Sequence, residues 1–289
     1  MITRIIPRLD IKGPNLVKGI HLEGLRVLGR PEYFARRYYE EGADELLFMD
    51  VVASLYGRNS LLDIVQRTAN EIFIPLAVGG GLRSLDDIRA VLRAGADKVT
   101  LNTAAVRRPE LIREASRRFG SSTIVLSIEA IRRPDGSYEA YTDNGREKTG
   151  VDAVAWAVRG AELGAGEIAL TSIDREGTGR GYDLELTARV ARAVPIPVIA
   201  CGGAGSVEHV GDGLAAGASA AAVASLLHYE LIRRPDPPQA GEIAPEINLA
   251  HLARPGFARV REASLPALKR HLAARGYASR PLSTVPTHA

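Results

Sequence analysis

Short apolar runs alternate with longer stretches of helical periodicity along most of the chain. The runs fall near residues 4–10, 45–51, 76–79, 97–101, 123–129, 167–171, 197–201 and 220–224, and their lengths suit buried strands bounded by glycine and proline. Between them, "LLDIVQRTANEI", "SLDDIRAVLRAG", "ELIREASRRFG", "VAWAVRGAELG", "LTARVARAV" and "VEHVGDGLAAG" space apolar residues three and four apart, the pattern of helices with one buried face. Eight strands alternating with such stretches predict an α/β fold around a parallel sheet.

The chain also repeats itself. "IPLAVGGGLRS" at 74–84 returns as "IPVIACGGAGS" at 196–206, 122 residues later. The same offset relates "GADELLFMDV" at 42–51 to "GAGEIALTSI" at 164–173, and "AGADKVTLNTAAV" at 94–106 to "AGASAAAVASLLH" at 216–228. Three segments in one register imply a (β/α)8 TIM barrel built from two similar half-barrels, since an open doubly wound sheet needs no duplication. The barrel is predicted over residues 1–232. A Pro-rich insertion or loop, 233–263, opens with "RRPDPPQAGEIAPE", and 264–289 holds a C-terminal helix with Ser264 as N-cap, Gly276 after its last turn and a fraying tail.

In such a barrel the C-terminal strand ends carry function. The first strand ends in Asp10, the second in Asp50 and the fifth in Glu129, while the fourth runs into Asn102 and Thr103 and the sixth into Thr171, Ser172 and Asp174. Strands one and five oppose each other across the mouth, so Asp10 and Glu129 form a candidate catalytic acid–base pair. Carboxylates bonded to loop amides are the plainer alternative. Gly80 and Gly81 in one half, and Gly202 and Gly203 in the other, free backbone N–H groups for an anion. Asn102 with Thr103, and Ala224 with Ser225, follow one strand later in each half. Two matched sites predict a ligand with a phosphate at each end.

A second charged group comprises Arg4, Glu45, Lys98 and Glu167, at the starts of strands one, two, four and six. Even spacing keeps Arg4 on the strand face of Asp10, Lys98 on that of Asn102 and Glu167 on that of Thr171. At about 3.3 Å per residue, Arg4 lies roughly 20 Å below Asp10. Two cations and two anions at the barrel floor can pair as a ring, either as a functional device or as a structural salt-bridge cluster.

Composition narrows the classes. The 289 residues are 46% hydrophobic and 25% charged, and no run nears the roughly 20 apolar residues of a spanning helix, so no membrane association is predicted. Asp10 interrupts the N-terminus before a secretory apolar stretch develops, which predicts a cytoplasmic protein. One cysteine, Cys201, excludes an internal disulfide and a multi-cysteine metal site; no metal or cofactor is predicted. The net charge of +3 suits anionic ligands, but the basic residues form no dense run and aromatics make up only 5%, so no nucleic-acid interface is expected.

"DELLFMDV", "VGGGLRS", "GADKVTLNTAAV", "ELGAGEIALTSIDREGTGRGYD" and "IACGGAGSVEH" together resemble the cyclase subunit of imidazole glycerol phosphate synthase, a histidine-biosynthesis enzyme, over about residues 2–230. The resemblance implies a glutaminase subunit docked on the barrel floor. Its ammonia would pass through the barrel to a bisphosphorylated ribulosyl aminoimidazole carboxamide, giving imidazole glycerol phosphate and aminoimidazole carboxamide ribotide. It implies that Arg4, Glu45, Lys98 and Glu167 gate the ammonia, that Asp97 contacts the glutaminase, and that Asp10 and Glu129 move protons. Lys18 of "NLVKG" would lie on a mobile first loop over the substrate, with Asp50, Thr171, Glu176 and Gly177 among the substrate-binding residues. The family has aspartate at the places of Glu129 and Glu176, lysine at that of Ile131 and cysteine at that of Arg8. Each glutamate advances its charge by about an ångström, a displacement that costs on the order of 100-fold in rate when uncompensated. Arg8, two residues before Asp10, brings a large cation into the pocket unless its strand end turns outward. The alternatives are a paralogue that uses glutaminase-derived ammonia to amidate a surface-sugar precursor, a sister isomerase that needs no ring, and a non-catalytic barrel that activates a glutaminase.

Overall fold

The computed structural model describes residues 2–52, 61–234 and 260–280. The chain opens with β1 (Arg4–Lys12), a hairpin of β2 (Asn15–Ile20) and β3 (Glu23–Gly29), and α1 (Pro31–Glu40). Then come β4 (Leu46–Asp50), α2 (Leu62–Ala69), β5 (Leu76–Gly79), α3 (Leu85–Arg93), β6 (Lys98–Leu101), α4 (Thr103–Arg107) and α5 (Glu110–Phe119). The second half repeats the plan: β7 (Ile124–Arg132), a hairpin of β8 (Tyr138–Thr142) and β9 (Glu147–Asp152), α6 (Ala153–Glu162), β10 (Glu167–Ser172), α7 (Leu184–Ala193), β11 (Val198–Cys201), α8 (Val207–Ala215), β12 (Ala220–Val223) and α9 (Ser225–Ile232). Last comes α10 (Leu265–Ala274).

Strands β1, β4, β5, β6, β7, β10, β11 and β12 pair in parallel, and β12 returns to β1, so the (β/α)8 barrel is closed. Alternation sorts each strand. Along β1, Ile5, Leu9 and Ile11 join the core beneath the helices, while Ile6 packs inside the barrel with Leu47, Ala77, Val125, Ala169, Ile199, Ala220 and Ala222. Bulky branched residues usually fill a barrel interior; here Ala77, Ala169, Ala220 and Ala222 stand among Ile6, Leu47, Val125 and Ile199.

Both hairpins follow the first strand of a half, and neither appears in the strand–helix alternation. Their tips correspond at the repeat offset: His21 and Leu22 (φ 52 and 63°) in one, Asp143 and Asn144 (φ 52 and 59°) in the other. Asp143-Asn144-Gly145 carries a hairpin signal; His21-Leu22 lacks the glycine or asparagine that left-handed turn positions favour. Helix α10 has the expected cap, Ser264 accepting from the Ala267 N–H, and buries Leu265, Leu268 and Leu272 in the main core. Buried Lys269 pairs with Asp44 at 2.8 Å, tying the helix to the barrel. Most of the Pro-rich segment, 235–259, and the tail, 281–289, lie outside the described residues.

Candidate active site

At the floor the four predicted charges form a closed ring. Arg4 reaches Glu45 at 2.7 Å and Glu167 at 2.6 Å, while Lys98 reaches the same two carboxylates at 3.0 and 2.9 Å. Each charge meets two of opposite sign, which offsets the cost of drawing four ions into a barrel end. Beside the ring, Asp97 is exposed and accepts a hydrogen bond from the Leu76 N–H at 2.9 Å. It borders a shallow groove with Ile72, Ile74 and Pro75, at whose edge Phe73 is 79% exposed.

The sixth residue along from Arg4, Asp10, lies at the mouth. Arg8 points inward with it: Nε donates to Asp10 Oδ1 at 2.8 Å and Nη1 to Thr171 Oγ1 at 3.1 Å. The strand end therefore does not turn outward, and the cation occupies the pocket. Burial would raise the Asp10 pKa, but the charges of Arg8 and then Lys18 hold it below the usual carboxylate range. Across the mouth, Glu129 accepts from Asn102 Nδ2 at 3.1 Å. Its carboxyl is pushed up to about 7, chiefly by burial and also by the Asp10 charge, against the opposing pull of Arg8. Two carboxyl groups with opposite displacements suit one accepting and one donating role at neutral pH.

Lys18 is not on an open loop. It lies on β2, buried, in an ion pair with Glu176. Glu176 also accepts from the Leu22 N–H at 2.9 Å, and its carbonyl accepts from the His21 N–H at 3.0 Å. Asn144 Nδ2 donates to the Leu22 carbonyl at 3.2 Å, so the two hairpin tips meet over the mouth. Gly177, at φ 72°, lets the segment after β10 run against β2: a Cβ there would stand 2.6 Å from the Gly19 carbonyl oxygen.

The glycine loops match in backbone. Gly80 and Gly81 have φ of 105 and 70°, and Gly202 and Gly203 of 85 and 106°. Asn102 and Ala224, which open α4 and α9, share an unusual conformation (φ −130°, ψ −91° and φ −121°, ψ −85°). Ser84 and Ser206 cap the helices that follow the two glycine loops. The first cavity, about 250 Å³, is lined by Asp50, Gly80, Gly81, Asn102, Thr103 and Glu129 among others. The second, about 30 Å³, is lined by Asp10, Arg8, Lys18, Glu176, Gly177, Gly202, Gly203, Ala224 and Ser225 among others.

The family model described as "Histidine biosynthesis protein" matches residues 4–233. The chain is 62% identical over 205 residues to the imidazole glycerol phosphate synthase subunit HisF of Legionella pneumophila, covering 71% of this chain and 97% of that protein. HisF of Alkaliphilus metalliredigens is 51% identical over 237 residues, 81% of this chain and 94% of that one. The Thermobifida fusca subunit is 52% identical over 231 residues, 78% and 90% respectively. The chain belongs to the HisF family. That makes it a cyclase subunit of lyase type in histidine biosynthesis. Consistent with the predicted lack of membrane segments, no described helix is long and apolar enough to cross a membrane.

Two residues in and beside this HisF site escape the sequence reading. Thr100 lies between Lys98 and Asn102 on the inner face of β6, lines the first cavity, and has no hydrogen-bond partner for its hydroxyl among the described residues. The even spacing 98, 100, 102 was the available signal. Buried His228 has none: its Nε2 lies 3.0 Å from the Arg8 carbonyl and its Nδ1 2.6 Å from the Tyr38 hydroxyl. Burial, then Lys18, drives its pKa down to about 3, so the ring is neutral. The carbonyl can only accept, so Nε2 donates to Arg8 and Nδ1 accepts from Tyr38.

Proposed function

We propose that this chain catalyses the ammonia-dependent cyclisation of a bisphosphorylated ribulosyl aminoimidazole carboxamide, with ammonia entering through the floor ring from a docked glutaminase. The observation that carries this reading is the stack within one barrel: a closed ring of four charges below, an interior cluster that includes four alanines, and two opposed carboxyl groups at the top. Ammonia adds to the substrate ketone; Glu129 gives the proton with which the oxygen leaves as water, and an imine forms. Asp10 takes the proton whose removal drives carbon–nitrogen cleavage, releasing aminoimidazole carboxamide ribotide as the imidazole ring closes. The glycine loops of the two halves hold the two phosphates, and Lys18 turns from Glu176 to the ligand. The exposed groove with Phe73 and Asp97 beside the ring offers the glutaminase an aromatic anchor and a charge.

A single-turnover reaction with this substrate and high ammonium chloride at pH 8 tests the reading without a glutaminase. Formation of the ribotide, lost in Asp10→Asn and Glu129→Gln, supports it; no turnover by a folded protein that binds the substrate sinks it. The narrow, ion-filled second cavity favours one further reading, in which the same ammonia route serves a different acceptor, such as a surface-sugar precursor with fewer phosphates. That version predicts product only with the second acceptor.

A further inference from the structure

Arg8 is a buried cation that acts on both members of the proposed acid–base pair, bonded to Asp10 and facing Glu129, and nothing in the floor ring or the glycine loops accounts for it. Its guanidinium is anchored at two points on different strands, Asp10 on its own strand and Thr171 on β10. Its backbone is anchored as well, because neutral His228 donates to the Arg8 carbonyl while accepting from Tyr38. Phe34 packs edge-on against the same imidazole at 5.6 Å and Tyr38 stacks on it at 5.8 Å. From Tyr38 to His228 to Arg8 to Asp10, a contiguous set of contacts runs from α1 through α9 to the mouth.

We propose that Arg8 is a positioning residue for the acid–base pair: it fixes the Asp10 side chain as the proton acceptor and thereby leaves Glu129 as the proton donor. The inference rests on the reading of Asp10 and Glu129 as that pair. A carboxylate buried alone gives up its charge; one that shares a short charge-assisted hydrogen bond with a guanidinium keeps it, since arginine does not deprotonate in proteins. The groups facing Asp10 are Arg8 on β1, Lys18 on β2, Cys201 on β11, His228 on α9 and, across the mouth, Glu129 on β7. Asp50, at the end of the neighbouring β4, turns its carboxylate to the Val52 N–H. Arg8 in turn faces Glu176 and Cys201. The Cys201 thiol is pushed up to about 11 by burial and stays neutral, and Lys18 is engaged by Glu176. Arg8 is therefore the cation committed to Asp10.

The decisive experiment follows the Asp10 carboxyl directly by carbon NMR in protein labelled at aspartate, with the resonance assigned by its loss in Asp10→Asn. In the wild-type protein Asp10 titrates below the ordinary aspartate range; in Arg8→Met its titration moves up above that range; in Arg8→Lys it stays close to wild type. Titration of wild-type Asp10 at or above the ordinary aspartate range overturns the proposal, with no variant required. Where the cyclase reaction is measurable, free ammonia is held constant and the Arg8→Met to wild-type ratio of kcat/KM is followed. That ratio is expected to rise with pH by about tenfold per unit below the pH at which Asp10 of the variant titrates, and to be level above it. An equal loss at every pH, with the Asp10 titration unmoved, reduces Arg8 to packing and overturns the proposal. A wild-type protein without cyclase turnover defeats the functional reading alone, because the NMR titration still decides the placement of the proton.

Discussion

The two half-sites have nearly the same backbone and opposite contents. In the first, Gly80, Gly81 and the turn at Asn102 border a cavity of about 250 Å³ in which Glu129 has a neutral amide, Asn102, for a neighbour. In the second, Gly202, Gly203 and the turn at Ala224 border about 30 Å³, the rest being occupied by the Arg8–Asp10 and Lys18–Glu176 pairs. Duplication copied the cradle, and side chains then differentiated its electrostatics. The open half holds a carboxyl group that burial keeps protonated up to about pH 7; the filled half holds Asp10, whose pKa the charges of Arg8 and Lys18 hold low against burial, and Glu176 in an ion pair with Lys18. The pair differs in proton affinity because the halves differ in what fills them.

The strongest way to break this comparison is to remove the acid of the open half. Glu129→Gln is expected to lower single-turnover cyclisation by about 100- to 10,000-fold, the usual span for a positioned proton donor. A loss below tenfold would show that the open half contributes only binding. In the filled half, Glu176→Ala leaves Lys18 buried without its partner and frees the first hairpin, at an expected cost of about 3 kcal/mol or more in denaturant unfolding. The corresponding sign is that amide exchange at Leu22 accelerates; unchanged protection there would mean that the hairpin is held by packing alone.

The raised Glu129 pKa also makes a stability prediction of definite sign. The unfolded chain loses this proton near 4.5 and the folded chain near 7, so Glu129 contributes fully below pH 4.5 and that contribution is lost as pH rises to about 7. Glu129→Gln, which cannot ionise, is therefore expected to unfold at higher urea than wild type at pH 8, by on the order of 3 kcal/mol, and to match it at pH 4. The smallest effect tests the shared cradle. A Cβ at Gly80 would lie 2.4 Å from the Asp50 carbonyl oxygen, and one at its counterpart Gly202 3.0 Å from that of Ser172, the counterpart of Asp50. With both residues at left-handed φ, each Ala variant is expected to lose about 1–2 kcal/mol, and the two losses should agree. Unequal losses would show that the backbones have diverged along with the side chains.

The barrel and its duplication were legible because hydrophobic periodicity and glycine placement are local signals that a repeat writes twice. The ring was legible for the same reason: Lys98 and Asn102, or Glu167 and Thr171, are separated by even numbers, and a strand sends such residues to one side. The hairpins were harder. Residues 15–29 carry few apolar alternations, and the left-handed tip is made by His21 and Leu22 rather than by glycine. Nor could spacing show that Lys18 would pair with Glu176, 158 positions away, or that His228 would fix the backbone of Arg8, 220 positions away. Such pairings depend on how the closed sheet and its helices pack in three dimensions.

The contact between Asn144 and Leu22 joins a residue to its own counterpart in the other half. In an assembly with two-fold symmetry only positions on the rotation axis can touch their own copies; all others meet different partners reciprocally. The axis relating the halves thus emerges at the centre of the mouth, between the hairpin tips. A ligand with two similar ends would bind along a line crossed by that axis, and its unsymmetrical middle would be presented to an acid on one side and a base on the other. Symmetry is broken around that axis: one half-site encloses the larger cavity, and the other is filled by two ion pairs.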